Sequence, residues 1–254
     1  MTMKDHMVRH RRLAATIVAA MAIALAGTAA WLTHRPVAPA PAGRAEIEMV
    51  VRDYILAHPE IIPEAMERLR DKQGQNVYAT NRAALETPFA SAWAGDAHGD
   101  VTLVMFSDYA CGYCRSSVPD IDRLLASDPK LKVVWREIPI LGAGSELAAR
   151  AALAAAQQGA FRDFHQRMFA AGVPDGEKVA AVVGAMKLDA ARIARDAASP
   201  AVVAELRRNL DLAGKVDESI ATPTFVVGGQ ILKGAVGFDA LQKAVADARK
   251  QRVS

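Results

Sequence analysis

The chain contains only two cysteines, Cys111 and Cys114, and two residues separate them. They follow the run VTLVMFS, residues 101 to 107, whose short apolar pattern predicts a buried strand. Apolar residues recur at helical spacing after Cys111, which predicts a helix that begins at the first cysteine. A strand, a C-x-x-C pair and a helix in immediate succession favour an α/β fold that presents two thiols at a helix N-terminus.

The spacing of the two thiols favours a redox-active pair. The first turn of a helix carries unpaired N–H groups and the positive end of the helix dipole, which together stabilise a thiolate at Cys111. The thiolate is the attacking form of cysteine. Cys114 lies about one helical turn further on, where it is placed to attack a mixed disulfide at Cys111 and release the substrate. We expect Gly112 and Tyr113 to tune the thiolate and to contact the substrate.

Two other interpretations of the cysteines compete with redox exchange. A structural zinc site usually takes four ligands, and the candidate histidines, His98 and His165, are isolated in the sequence. We expect His165 to be on the surface or half-buried. A permanent disulfide would close a loop too short to constrain much unfolded-chain entropy. The alternative function is a copper or zinc thiolate-binding protein without redox turnover, because soft metals accept two thiolates.

A proline near the end of the chain supports redox exchange. The segment Ile220-Ala221-Thr222-Pro223-Thr224 opens a predicted strand, and proline is tolerated at the first residue of a strand. A cis peptide bond facing the cysteines would offer the Thr222 backbone to an extended substrate segment. A trans proline that only punctuates a loop is the alternative. Thr222 and Pro223 are therefore candidate substrate-binding residues.

The N-terminus has the pattern of an export segment. Basic residues within the first 12 positions precede the uncharged run LAATIVAAMAIALAGTAAWLT, residues 13–33. A run of this length spans a bilayer as a helix, with its basic end on the cytoplasmic side. Trp31 favours an uncleaved anchor, whereas Ala24-Leu25-Ala26 fits the cleavage site of a signal peptide. Residues 1–33 are therefore predicted to be a signal peptide or a signal anchor.

The distribution of charge limits the partners of the chain. Residues 1–12 carry the whole net charge of +3, so the remaining residues balance. The body of the chain therefore has no basic footprint for nucleic acid. Export places the cysteines where disulfides persist. We expect a periplasmic or extracytoplasmic protein that is tethered to the inner membrane by its N-terminal helix, or soluble if the leader is cleaved.

The rest of the chain divides into three parts. Residues 34–45 alternate proline and alanine, which predicts an extended linker. Residues 46–94 predict helices, with an apolar stripe over 46–73 and a further helical stretch at about 76–86. The stripe must pack on its own domain or on another copy of the chain. Residues 95–254 predict a strand, a helix, a strand, an alanine-rich helical block at about 143–216, a hairpin and a last helix.

These features together resemble the exported DsbA branch of the thioredoxin-like superfamily. The matching elements are the strand VTLVMFS, the CGYC pair, Pro119, the Thr-Pro-Thr strand start and the helical block between the second and third strands. The resemblance implies an α/β, thioredoxin-like fold with an inserted all-helical subdomain, preceded by N-terminal helices. Within this branch, the segment YILAHPEIIPEAMERL and the CGYC sequence look most like ScsC-type and Com1-type proteins.

The resemblance implies an exported thiol–disulfide oxidoreductase that oxidises or isomerises disulfides in protein substrates. Cys111 would attack and Cys114 would resolve, so no organic cofactor or metal is expected. The redox-active disulfide itself carries the electrons, and a membrane redox partner resets it. ScsC-type proteins can oligomerise through their N-terminal helices, which favours a homo-oligomer through residues 46–73.

The chain departs from the family pattern at one buried position. Thioredoxin and DsbA carry a buried acid six residues before the first cysteine, and this chain has Met105 there. Glu137, on the second predicted strand, is the nearest substitute in the sequence. Because a glutamate at a strand end is usually solvated, we expect Glu137 to face solvent.

Overall fold

The computed structural model describes residues 43–252, which form two compact units that divide between Ile61 and Ile62. The predicted anchor or signal segment at 13–33 and most of the linker at 34–45 lie outside the described residues. Among the described helices, none is long and apolar enough to cross a membrane.

The N-terminal unit contains one described helix, α1 (Arg44–Ala57). The helix ends at His58, whose backbone N–H bonds to the Tyr54 carbonyl, directly before Pro59. A residue that precedes proline is disfavoured in helical conformation, which explains this end. No residue of α1 is buried, and its stripe of Ile47, Val50 and Tyr54 is exposed.

The second unit is built on a mixed sheet of five strands. The strands are β1 (Trp93–Gly95), β2 (Val101–Ser107), β3 (Leu131–Glu137), β4 (Thr224–Val227) and β5 (Gln230–Lys233). Their order across the sheet is β1-β3-β2-β4-β5. The β2–β3 pair is parallel, and the other pairs are antiparallel. The predicted strands are present, whereas β1 was not predicted because it is only three residues long.

Helices cover both faces of this sheet. They are α2 (Ile61–Glu86), α3 (Gly112–Ser127), α4 (Ala143–Ala156), α5 (Phe161–Ala170), α6 (Gly176–Ala185), α7 (Ala190–Ala197), α8 (Pro200–Val216) and α9 (Phe238–Gln251). The run α4–α8 corresponds to the predicted helical block. Side-chain oxygens of Asp175, Asp189 and Ser199 accept backbone N–H groups at the starts of α6, α7 and α8, which fixes where these helices begin.

Every residue of β2 is buried, and its side chains alternate between two cores. Leu103 and Met105 lie in the larger core with Cys114 of α3 and residues of α4, α5 and α9. Val104 and Phe106 lie in a smaller core with Leu85 of α2 and residues of α8. A strand that is buried on both faces reads as a continuous apolar run, as VTLVMFS does.

Helix α2 runs without a break through residues 61–86, where the sequence suggested two separate stretches. Its second half packs closely on the turn between β4 and β5. A Cβ atom on Gly74 would lie 2.5 Å from the Gly229 carbonyl oxygen, so only glycine allows this approach. Gln75 Nε2 donates to the Gly228 carbonyl at 2.9 Å.

A buried arginine joins α2 and α8 across strand β3. Arg136 Nη1 donates to Glu205 Oε1 at 2.8 Å and to Asn209 Oδ1 at 3.2 Å. Its Nη2 donates to backbone carbonyls at the end of α2, including that of Leu85 at 3.2 Å. Those carbonyls have no partner within the helix. Arg136 therefore neutralises a buried carboxylate and caps a helix with one side chain.

We predict that Arg136→Met lowers the free energy of unfolding by roughly 1–3 kcal/mol, because it leaves the carbonyls at the end of α2 without their donor and Glu205 without its buried cation. The Glu205 carboxylate keeps its second cation, Arg208, whose side chain is largely exposed. The measurement is denaturant unfolding followed by circular dichroism. The matched control is Arg68→Met, which removes an exposed cation paired with Glu64 and should change stability by less than about 0.5 kcal/mol. Equal effects of the two substitutions would contradict a central role for Arg136.

Candidate active site

Both cysteines lie at the N-terminus of α3, and both are free thiols. Cys111 is the residue that precedes the helix, with extended backbone angles, and Cys114 lies in the first turn. The end of β2 leads directly into this turn, so the parallel core strand sets its position. The predicted strand, cysteine pair and helix are therefore present in the predicted order.

The Thr222–Pro223 segment contacts the first cysteine. Strand β4 begins directly after Pro223 and pairs antiparallel with β2, with Thr224 opposite Phe106. This pairing brings the start of β4 to the same edge of the sheet as the end of β2. The Thr222–Pro223 peptide bond is cis. The Cys111 sulfur lies 3.3 Å from the Thr222 carbonyl oxygen, to which it donates a hydrogen bond when it is protonated.

The surroundings of Cys111 stabilise its thiolate. Its pKa is lowered to about 5, chiefly because the Cys114 thiol donates a hydrogen bond to the Cys111 sulfur. Burial opposes this shift, while Thr222 and the backbone amides of Tyr113 and Cys114 add to it. Such amides are the unpaired donors of a helix N-terminus, as the sequence predicted. At neutral pH, Cys111 is therefore a thiolate.

Cys114 has the opposite character. Its side chain is fully buried beneath the helix. Burial raises the pKa of Cys114 strongly, and its hydrogen bond to Cys111 raises it further. Cys114 is therefore a thiol at neutral pH. One turn of helix thus holds an ionised sulfur in a residue that is 7% exposed and a protonated sulfur in a residue that is fully buried.

The two residues between the cysteines face solvent. Tyr113 is 70% exposed, and a Cβ atom on Gly112 would meet no atom within 4 Å. Thr222 is half-buried and Pro223 is buried. The structure therefore brings the six predicted site residues together around the Cys111 sulfur, with an open side over Gly112 and Tyr113.

A buried aspartate that sequence reasoning did not use fixes the loop before Cys111. Asp108 accepts hydrogen bonds from the backbone of Ala110 at 2.8 Å, Ile140 at 2.8 Å and Leu141 at 3.0 Å. The hydroxyl of Ser145 donates to it at 2.6 Å. Four donors to one carboxylate hold the cysteine loop against the loop that follows β3. The sequence feature that could have identified Asp108 is its position, since it is an acidic residue between a buried strand and a C-x-x-C pair.

Two expectations about single residues were wrong. Glu137 is fully buried rather than solvated, and His165 is buried rather than half-exposed. Helix α5 covers the end of β3, so that His165 Nδ1 lies 3.8 Å from Glu137 Oε1 and 3.2 Å from the Tyr109 hydroxyl. Burial raises the pKa of Glu137 well above its ordinary value and lowers the pKa of His165 to about 3. His165 is therefore neutral at pH 7, and burial favours the neutral acid form of Glu137.

Potential metal ligands do not cluster in the part of the chain that the structure describes. Residues 43–252 contain no group of three or more His, Cys, Asp or Glu side chains placed to hold a metal ion.

Comparison with known proteins identifies the family. Residues 102–246 match the DsbA-like thioredoxin domain. The chain belongs to the DsbA-like thioredoxin family. Residues 44–75 match the N-terminal domain of the copper resistance protein ScsC. The resemblance to DsbA-type and ScsC-type proteins, and the thioredoxin-like α/β fold that it implied, are therefore confirmed.

Solved structures of DsbA-like proteins agree with this assignment. A thioredoxin-like oxidoreductase from Silicibacter pomeroyi is 40% identical, with a TM-score of 0.63 over 67% of this chain and 98% of that one. A linker-deletion variant of ScsC from Proteus mirabilis is 26% identical, with a TM-score of 0.65 over 84% of this chain and 100% of that one. These relatives support an oxidoreductase role for the family.

A curated relative matches this chain over only part of its own length. The Na(+)/H(+) antiporter NhaA 3 of Salinispora tropica is 31% identical over 159 residues, which cover 61% of this chain and 24% of the antiporter. The chain thus spans about a quarter of the length of that relative.

We predict that alkylation of the reduced protein is confined to Cys111 and follows an apparent pKa of about 5. Because the thiolate is the reactive form, the rate should stay near its maximum from pH 9 down to about 6 and fall as pH drops through 5. The measurement is the rate of iodoacetamide labelling, followed by mass spectrometry.

The Cys114→Ala variant tests the cause of this shift. Removing the thiol that donates to Cys111 should raise the apparent pKa of Cys111 towards its ordinary value. An unchanged profile in this variant would show that the helix N-terminus alone sets the pKa.

Proposed function

We propose that the chain is an exported thiol–disulfide oxidoreductase that exchanges disulfides with protein substrates through Cys111 and Cys114. The observation that carries the proposal is the asymmetry of the two sulfurs. The pKa of Cys111 is about 5, and its sulfur lies 3.3 Å from the Thr222 carbonyl oxygen. Cys114 is fully buried and protonated. An ionised sulfur at the edge suits attack, and a buried sulfur one turn away suits resolution.

The exchange balances without an added cofactor. When the pair is oxidised, a substrate thiolate attacks Cys111 Sγ, the bond to Cys114 breaks, and Cys114 leaves with the electron pair. A second substrate thiolate then attacks the substrate sulfur of the mixed disulfide and releases Cys111 as a thiolate. The substrate loses two electrons to the cysteine pair. In the reverse direction, the Cys111 thiolate attacks a substrate disulfide and Cys114 resolves the product.

The exposed surroundings of Cys111 suit an extended protein segment. Thr222 and Pro223 line one side of the sulfur, where the Thr222 carbonyl is available to an incoming backbone once the thiol hydrogen is gone. Gly112 leaves open space on the other side. Tyr113, Ile140 and Leu141 are exposed apolar residues on the turn and on the loop that Asp108 ties to it. Protein segments with apolar side chains beside a cysteine are the substrates that we propose.

The first test is a redox titration of the cysteine pair in graded glutathione buffers, with free thiols counted by alkylation and mass. We predict one reversible two-electron transition at a potential more oxidising than the roughly −270 mV of thioredoxin, because stabilising the Cys111 thiolate favours the reduced form and makes the disulfide more oxidising. Cys111→Ser should abolish exchange. Cys114→Ser should accumulate mixed disulfides with substrate, because the resolving sulfur is missing.

The titration also distinguishes the alternative function. A protein that only binds copper or zinc through its thiolates would retain a stoichiometric amount of metal after purification. Its thiols would also resist oxidation in glutathione buffers that oxidise a metal-free C-x-x-C pair. A pair that stays reduced, or stays oxidised, across the whole range would contradict the redox proposal.

The exposed stripe of the N-terminal region supports a homo-oligomer. Ile47, Val50 and Tyr54 of α1, and Ile62, Met66 and Leu69 of α2, are exposed large apolar residues at helical spacing. Each of the two helices thus has its own exposed apolar face, and an exposed apolar face usually marks an interaction site. We propose that copies of the chain associate through residues 46–73. An assembly with several active sites would suit disulfide isomerisation.

We predict that residues 46–254 form an oligomer and that residues 74–254 are monomeric, as measured by sedimentation equilibrium. A single substitution on the stripe, Val50→Asp, should dissociate the longer protein, because it places a charge in the apolar interface. The matched control is Arg52→Asp, on the opposite face of α1, which should leave the mass unchanged. A monomer in both lengths would contradict both the oligomer and an isomerase that depends on it.

The proposed location follows from the leader and the cysteine chemistry. The basic residues and apolar run of residues 1–33 support export to the periplasm, with either an inner-membrane tether or a cleaved signal. A membrane redox partner would then reset the cysteine pair after each exchange. Fractionation of cells that express the full chain, with mass measurement of the recovered protein, separates tethered from cleaved forms.

A further inference from the structure

The reduced cysteine pair requires a proton inside the protein. When the disulfide opens, Cys114 leaves as a thiolate, and it cannot remain one because its burial strongly favours the thiol. Its side chain is fully buried, so bulk water does not reach it directly. Cys111 does not compete for this proton, since its thiolate is stable at neutral pH. The proton for Cys114 must therefore come from a neighbouring buried group.

Glu137 is a buried acid that holds a proton. Neither of its carboxyl oxygens makes a close hydrogen bond within the described residues, and no Lys or Arg side chain there pairs with it. The Tyr109 hydroxyl is near enough to lower the pKa of Glu137, but burial raises that pKa by more. The nearest basic side chain is that of His165, at 3.8 Å, and burial keeps that imidazole neutral. Arg136, the next residue on β3, pairs with Glu205 on the opposite face of the sheet. An unpaired carboxyl in such a place exists as the neutral acid.

Ser107 lies between this acid and the buried cysteine. It is the register partner of Glu137 in the parallel β2–β3 pair, so both side chains point to the same face of the sheet. Its hydroxyl is buried beside Cys114, where its hydrogen bonding lowers the pKa of the thiol against the larger effect of burial. Within the described residues this hydroxyl has no other hydrogen-bond partner. A hydroxyl both accepts and donates, so it can pass a proton between two neighbours.

The other ionisable groups around Glu137 are poorly suited to this role. Asp108 accepts four hydrogen bonds that hold the cysteine loop, so its oxygens act as acceptors. The pKa of Tyr109 is raised well above its ordinary value by burial, which makes it a poor proton donor. The groups that face Glu137 from the packed elements are Asp108 and Tyr109 from the loop after β2, Cys114 from α3, and His165 with Arg162 behind it from α5.

We propose that Glu137 is the proton-exchange partner of Cys114 and acts through the Ser107 hydroxyl, an inference that rests on the proposed redox function. As the Cys111–Cys114 bond accepts two electrons and breaks, the Glu137 carboxylic acid gives its proton to Ser107, whose own proton passes to the Cys114 sulfur. Glu137 is left as a carboxylate and recovers a proton from water during turnover. When the reduced protein resolves a mixed disulfide, Cys114 attacks the sulfur of Cys111, and the Glu137 carboxylate accepts the Cys114 proton through Ser107. Glu137 is thus a positioning and proton-handling residue that does not touch the substrate.

The test is the rate at which dithiothreitol reduces the oxidised full chain in one turnover, with the thiols quenched by alkylation and counted by mass. Rates are corrected for the thiolate fraction of dithiothreitol. The wild-type rate should fall as pH rises through the raised pKa of Glu137, because the donor is then lost. Glu137→Gln should be slower by roughly 10- to 100-fold at pH 7 and should show no such fall. Glu137→Asp, which keeps the acid, should recover part of the rate.

A second pair of variants tests the proposal even if substitutions of Glu137 prevent folding. Ser107→Ala should slow reduction several-fold, whereas Ser91→Ala, which removes a hydroxyl bonded to the Ala156 carbonyl, should not. A wild-type rate and pH profile in Glu137→Gln, or equal rates in the two serine variants, would overturn the proposal while leaving the redox function intact. If the wild-type pair does not undergo reversible reduction, the redox function and this inference fail together.

Discussion

The antiparallel pairing of β2 with β4 is the constraint on which the site depends. It places the end of one strand and the start of the other at the same edge of the sheet, with Phe106 opposite Thr224. The cysteine turn leaves the first strand and the Thr222–Pro223 segment enters the second, so the 3.3 Å contact between Cys111 and Thr222 follows from strand register. Because β2 is buried on both faces, a shift in register would move core side chains along with the site.

The helical block supports this arrangement from the other side. Arg162 of α5 pairs with Asp122 of α3, and Arg115 Nε donates to the Phe169 carbonyl at 3.1 Å. These contacts tie the active-site helix to the block in its first turn and in its second half. The same helix α5 brings His165 over Tyr109 and the end of β3. The insertion is therefore part of the environment of the cysteine pair as well as a separate layer of packing.

Much of this could be read from the sequence, and the limits have physical causes. The run VTLVMFS, the C-x-x-C spacing and the Thr-Pro-Thr strand start carry local signals, so the strands, the reactive turn and its neighbour could be predicted. The burial of Glu137 could not be predicted from the sequence. It depends on α5, a helix that begins 24 positions later in the sequence and packs over the end of β3. Strand β1 is too short for a periodic pattern, and the continuity of α2 depends on its packing against the β4–β5 turn.

Two successive residues of β3 point to opposite faces of the sheet, where one stabilises the fold and the other lies on the side of the active site. Arg136 points to the smaller core, where Glu205, Asn209 and helix carbonyls accept hydrogen bonds from its Nη1 and Nη2 groups. Glu137 points to the face that carries Cys114, and within residues 43–252 neither of its oxygens makes a close hydrogen bond. A buried polar group without partners costs about 1–3 kcal/mol, so packing alone would favour an apolar residue at that position. This cost has a reason if the position serves the buried sulfur of Cys114. A carboxyl group paired with a cation would lose its proton, and one whose proton is held in a strong hydrogen bond would not release it. Only a carboxyl without close partners can exchange its proton with the sulfur.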